Sequence, residues 1–236
     1  MTSGPGPLAL VGSGEYLPSM QSIEADLIKG RAPRYVQIAT AAVPDGEDVV
    51  AKWERLGREQ AERMGVEAVT ITIRTRADAN DPKAVKQLSG AGLIYFSGGD
   101  PGFLADTVRG TLFMERVFEL WQEGVALAGC SAGAMAMTSW IPSLRHPVKG
   151  GTEGFAFLPK MRVLPHFDKF PRWIPDVVSR IMRDLPDGVS VVGIDEETAI
   201  IGGPTEWKVV GRQSAWSLEN GERTEHASGS SFSTHS

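Results

Sequence analysis

A serine at position 131 has glycine two residues to either side, Gly129 and Gly133, and follows the apolar run Val125, Ala126, Leu127 and Ala128. That spacing fits a sharp turn from a buried strand into a helix, where small residues avoid clashes and the hydroxyl points outward. Such a turn leaves the backbone N–H of Ala132 free at the helix start, where it could stabilise negative charge on a substrate oxygen. Ser131 is therefore the candidate nucleophile. The competing reading is that small residues simply let a helix pack closely on a sheet.

A serine hydroxyl is a weak nucleophile at neutral pH and needs a base, usually a histidine oriented by a carboxylate. The chain holds four histidines, His146, His166, His226 and His235. His226 and His235 lie at or in the tail and His146 in an expected loop, whereas His166 follows a strand inside Leu164-Pro165-His166-Phe167-Asp168. His166 is the candidate base, against the alternative of a partly buried structural histidine. The orienting acid has four candidates, Asp168, Asp195, Glu196 and Glu197. Asp168 is close in sequence to the ring it would have to face. Consecutive side chains after a strand alternate in direction, so at most two of the other three can point at the site. Glu196 is the preferred acid, with Asp195 and Glu197 as structural or rim acids. The Gly98-Gly99 pair, also after a strand, offers a second free N–H. Cys130, on the incoming strand, should point back into the sheet as a small buried hydrophobe.

These residues need a scaffold that brings strand ends together. Apolar runs at residues 8–11, 35–39, 69–73, 93–96, 126–130 and 189–194 alternate with amphipathic stretches. That is the pattern of an α/β fold, a three-layer sandwich around a mainly parallel sheet. Between Glu47 and Met64, apolar Val50, Trp53, Leu56, Ala61 and Met64 recur at helical spacing. A second helical face carries Phe113, Val117, Leu120 and Trp121, and a further helix is expected near residues 173–182. Residues 142–159 read as loop, and 198–201, 207–210 and 214–218 as short antiparallel strands forming a C-terminal extension. Residues 1–225 are expected to form one catalytic domain, followed by a disordered Ser/Gly-rich tail over 226–236. In open parallel sheets ligands bind beyond the carboxyl ends of the strands, and Gly12 to Glu15, Gly98 to Asp100, Ser131, His166 and Glu196 all follow strands.

Composition narrows the function. At 236 residues, with 42% hydrophobic and 22% charged residues, the chain can bury a full core and is not a disordered type. A net charge of −5 without a dense basic block argues against nucleic acid as partner. No run approaches the roughly 18 apolar residues of a membrane span, and no signal peptide is visible. The one cysteine suits a reducing cytoplasm. Gly12-Ser13-Gly14 lacks the third glycine of a dinucleotide fingerprint, Leu17 standing in its place, and the histidine spacing offers no zinc pair. No cofactor and no metal are expected.

Taken in order, Phe96-Ser97-Gly98-Gly99-Asp100, Gly129-Cys130-Ser131-Ala132-Gly133-Ala134, Pro165-His166-Phe167-Asp168 and Gly193-Ile194-Asp195-Glu196-Glu197-Thr198-Ala199 resemble one family. It is the family of serine peptidases that contains dipeptidase E (aspartyl dipeptidase) and cyanophycinase. The resemblance spans about residues 8–218 and implies the class I glutamine amidotransferase-like, flavodoxin-like fold. It also implies Ser131 as nucleophile, His166 as base, Glu196 as acid, and the Gly99 and Ala132 amides as oxyanion hole. An ordinary α/β-hydrolase would instead place its acid between serine and histidine. The chain departs from cyanophycinases at Pro101 and Leu164-Pro165, and from dipeptidase E in carrying Asp100 where that enzyme has Asn. Asp100, Asp168 and Arg172 are the candidate substrate-binding residues. Arg172, Arg145 or Lys169 could supply the cation that an acidic first residue needs. The expected activity is hydrolysis of short peptides or related amides, with Asp-X dipeptides as the family's example and a homodimer as the candidate assembly. The alternatives are a catalytically silent ligand-binding module of the same fold, or an esterase.

Overall fold

Alternation along the first strands sends side chains to two separate cores. In β1 (Leu8–Val11), Leu8 and Leu10 face one core while Ala9 and Val11 face the other. The split recurs in β4 (Leu93–Phe96), with Ile94 and Phe96 opposite Leu93 and Tyr95, and in β5 (Ala126–Cys130), with Leu127 opposite Ala126, Ala128 and Cys130. A sheet apolar on both faces must be covered on both. The computed structural model, which describes residues 4–142, 151–169, 185–219 and 222–235, shows how. Helices α1 (Gln21–Ile28) and α2 (Glu47–Met64) cover the Ala9 and Val11 face through Ile23, Leu27, Ile28 and Ala61. The opposite face takes α3 (Pro82–Lys86), α4 (Pro101–Val108), α5 (Leu112–Gln122) and α6 (Ala132–Ala136), which contribute Ala84, Leu104, Phe113, Val117 and Ala134.

With β2 (Arg34–Ile38), β3 (Glu67–Ile71), β10 (Thr198–Gly202), β11 (Glu206–Gly211) and β14 (Ser231–Ser233), the central sheet runs β14-β11-β10-β1-β5-β4-β2-β3. Strands β1, β5, β4, β2 and β3 are parallel, and β10, β11 and β14 add an antiparallel wing beside β1. The mainly parallel sheet with an antiparallel extension is the expected one.

A second sheet changes the picture drawn from the sequence, in which all the site's strands could share one sheet. It consists of β8 (Met161–Leu164), β9 (Ser190–Ile194), β12 (Ser214–Glu219) and β13 (Glu222–Ala227), in the order β13-β12-β9-β8. Strand β9 pairs with β8 and β12 rather than with β1, and the chain crosses to the central sheet through Asp195, Glu196 and Glu197 before β10. A short ribbon, β6 (Trp140–Pro142) with β7 (Gly151–Glu153), replaces part of the loop expected over 142–159. The helix expected near 173–182 lies outside the described residues.

The expected disordered tail is corrected. Residues 231–233 form β14 on the edge of the central sheet, where Phe232 is buried opposite Trp207. Trp207 Nε1 donates to Thr234 Oγ1 at 3.1 Å, and the His226 ring stacks on Phe232 at 4.2 Å. A Ser/Gly-rich segment reads as loose because its local pattern is polar, yet pairing of β13 with β12 and of β14 with β11 and the burial of one phenylalanine hold it in place. No helix among the described residues is long and apolar enough to cross a membrane.

Candidate active site

Strand β5 runs directly into α6 through Ser131, whose backbone adopts φ 50° and ψ −108°. The turn is tight because strand and helix touch backbone to backbone. A Cβ on Gly129 would lie 2.5 Å from the Gly133 carbonyl carbon, and one on Gly133 would lie 2.2 Å from Phe96 O. The strain falls on the serine, as in a nucleophile elbow. Ser131 N–H donates to Val11 O at 2.9 Å, which ties the turn to β1.

The hydroxyl faces His166. Ser131 Oγ lies 3.0 Å from His166 Nε2, and His166 Nδ1 lies 3.1 Å from Glu196 Oε1. His166 follows β8 and Glu196 follows β9, and the parallel register Leu164↔Gly193 brings both turns to the same end of the second sheet. His166 also holds a positive φ, 52°. The two side chains are 42% and 31% exposed, so the site is open to water and its charge interactions are screened.

The three consecutive acids have three different partners. Asp195 is buried, accepts from Trp216 Nε1 at 3.0 and 3.1 Å and from Ser214 N–H at 3.3 Å, and burial raises its pKa. Glu196 meets the imidazole. Glu197 accepts from Ser19 Oγ and from Arg212 Nη1, both at 2.8 Å, and these contacts hold its pKa below the usual carboxylate value. The backbone of Glu196 is fixed in turn, since its N–H donates to Asp168 Oδ1 at 2.8 Å and its carbonyl accepts from Gln213 Nε2 at 2.9 Å. Lys169 Nζ lies 3.5 Å from Glu196 Oε2 and 3.6 Å from Asp168 Oδ2.

Around the Gly98-Gly99 turn most amides are engaged. Ser97 N–H donates to Ile38 O at 3.0 Å, Gly98 N–H to Glu15 Oε1 at 2.9 Å and Asp100 N–H to Ala41 O at 2.7 Å. Gly99 N–H has no acceptor among the described residues, and neither has Ala132 N–H at the start of α6. Gly99 holds φ +135°, and a Cβ there would lie 2.2 Å from Ala41 O.

The candidate substrate contacts fall as follows. Asp100 caps α4 by accepting from Phe103 N–H at 2.8 Å, Asp168 holds the Glu196 amide, and Arg172 and Arg145 lie outside the described residues. Cys130 is fully buried with its pKa pushed well up by that burial, and its thiol donates to Glu15 Oε2 at 2.7 Å. Two neighbours of the site, Glu15 and Gln213, have no role assigned from the sequence, although Glu15 falls in the strand-end segment Gly12 to Glu15 expected there. Glu15 carried one signal, an acid just past the first strand. Gln213 carried none, because its contact depends on β11 pairing with β10 and β12 with β9.

The family model of peptidase family S51 matches residues 8–207. Among solved structures, a peptidase from an acI-B1 Actinobacterium is 42% identical with a TM-score of 0.89, over 98% of each chain. A protein from Listeria monocytogenes EGD-e named after peptidase E is 16% identical with a TM-score of 0.60, over 94% of this chain and 98% of its own; that likeness is one of fold. No curated protein matches the sequence.

Proposed function

Because the chain belongs to peptidase family S51 and is a serine peptidase, we propose that Ser131 is its nucleophile, His166 its general base and Glu196 the acid that orients the base. The observation that carries this reading is the unbroken line of contacts from Ser131 Oγ through both ring nitrogens of His166 to Glu196 Oε1. With Nδ1–H donating to Glu196, Nε2 has a lone pair free to take the serine proton. Ser131 Oγ then attacks the scissile carbonyl, and the tetrahedral oxyanion rests on the Gly99 and Ala132 amides. His166 returns its proton to the leaving amine, and a water molecule activated by the same ring releases the acyl group.

Short peptides with an acidic first residue are the proposed substrates. Lys169 supports this as the described cation beside the triad, with a side chain 64% exposed and only long ion pairs to its neighbours. The one cysteine fits a reducing, cytoplasmic setting.

A fluorophosphonate probe and a dipeptide panel varying the first residue among Asp, Glu, Asn and Ala test the reading together. Ser131→Ala should lose labelling and hydrolysis, and His166→Ala should slow both by about 1,000-fold or more. Equal labelling of wild type and both variants would reject the site. Faster cleavage after Ala than after Asp would reject the acidic preference alone.

A further inference from the structure

Glu15, a buried acid at the site, has no part in the proposed reaction. Glu15 is 8% exposed and lies in the loop after β1. Since β1 neighbours β5 and β5 neighbours β4, its side chain can reach the ends of both other strands. Oε2 accepts from Cys130, the last residue of β5, and Oε1 accepts from Gly98 N–H, just past β4. The clamp is next to the nucleophile, because a Cβ built on Gly98 would lie 2.8 Å from Glu15 Oε1 and 3.5 Å from Ser131 Cβ.

An apolar side chain would fill this space without the desolvation cost of a carboxyl group, so the hydrogen bonds it makes need an account. Two successive glycines have no side chains to fix their dihedrals, and the turn's conformation rests on what its amides bond to. With the Ser97, Gly98 and Asp100 amides held, Gly99 N–H is the one amide of the turn left without an acceptor among the described residues. The next residue along strengthens the hold. Tyr16, at φ 68°, bonds through its hydroxyl to Ser97 Oγ at 2.7 Å, and Gln37 Nε2 bridges Tyr16 OH at 3.0 Å and Ser97 Oγ at 3.2 Å. Glu15-Tyr16 thus grips Ser97-Gly98 residue by residue.

We propose that Glu15 is a positioning residue that aims the Gly99 amide at the developing oxyanion by fixing the peptide before it. The proposal rests on the oxyanion-hole reading given above. Without the Glu15 acceptor, the Gly98 amide would turn to find another partner and carry the Gly99 amide with it, and a misplacement of about 1 Å at a reacting group can lower a rate roughly 100-fold.

The test is the second-order rate of phosphonylation by a fluorophosphonate, whose transition state also places an anionic oxygen in the hole, in Glu15→Met and Glu15→Gln. The glutamine keeps a carbonyl oxygen for Gly98 N–H; the methionine keeps the size and loses the acceptor. Glu15→Met should label about tenfold more slowly or worse, while reaching full labelling and unfolding near the wild-type temperature, and Glu15→Gln should recover most of the rate. On a cleavable dipeptide the loss should fall on kcat with KM little changed. A wild-type rate in Glu15→Met, a glutamine variant as slow as methionine, a slow rate matched by incomplete labelling, or failure of both variants to fold would each overturn the proposal. Ser131→Ala separates the two levels: labelling that survives there rejects the site itself, whereas its loss there beside a wild-type rate in Glu15→Met rejects only the clamp.

Discussion

Asp168 stands two residues beyond the base but acts on the acid. Its Oδ1 accepts the Glu196 N–H, so the backbone that carries the orienting carboxylate is held from the segment that carries the imidazole. Asp168→Ala should therefore lower kcat about tenfold with KM within about twofold, since the loss is one of orientation. Asp168→Asn, which keeps an acceptor oxygen, should restore most of it. Steady-state kinetics on the best dipeptide of the panel would check both, and an unchanged kcat in Asp168→Ala would remove the assignment. This residue also marks how far the sequence could be read. Ser131, His166 and Glu196 stood out because each follows an apolar run directly, and the geometry brings those three side chains into line. Asp168 was visible as an acid beside a histidine, but what it serves depends on Glu196 lying across a strand pair. Spacing along the chain carries no information about that. Glu15 was placed at a strand end by the sequence, but its role was hidden for the same reason, its contacts being with residues 83 and 115 positions away.

At the scale of elements, two-sided apolar strands announced the central sheet and its helices, and α2 follows the spacing of its apolar residues. The second sheet was not legible, because β8 and β9 carry the same kind of apolar run as the central strands and nothing local says which neighbour each will choose. The C-terminal segment was misread as loose for lack of a repeating apolar pattern, although Phe232 and Thr234 seat it on Trp207. Ending the chain after Arg223 would strip β14 and most of β13, leaving Trp207 uncovered and β12 without its outer partner. The truncated protein should melt about 5 °C or more below the full chain, given the buried apolar area lost. Thermal unfolding followed by circular dichroism would show it, and an unchanged midpoint would mean that the seat of Phe232 contributes nothing.

Across the whole molecule, one core acid couples stability to pH. Glu24 of α1 is 2% exposed, and burial raises its pKa from 4.5 to about 7. Tyr35 and Gln60 lie close enough to offset part of that cost, but neither carboxyl oxygen has a partner at hydrogen-bonding geometry. Between those two values the folded protein holds a proton that the unfolded chain has released. The support this group gives to folding is complete below pH 4.5 and drains away as pH rises to about 7, a loss of roughly 3 kcal/mol. Glu24→Gln cannot ionise, so its stability relative to wild type should climb by about that amount over the same window. Urea unfolding of both proteins at several pH values would measure the difference, and a constant gap would refute it. The largest consequence belongs to the two sheets. Ser131 is mounted on one hydrogen-bonded slab, and His166 with Glu196 on another. In the proposed reaction every turnover passes a proton across the seam between them. A separation of about 1 Å across that seam would open the serine–imidazole gap beyond bonding range while every ladder in both slabs stayed intact. The architecture thus allows the enzyme to fall silent without melting, and makes the seating of one slab on the other a gauge of whether the alcohol can react.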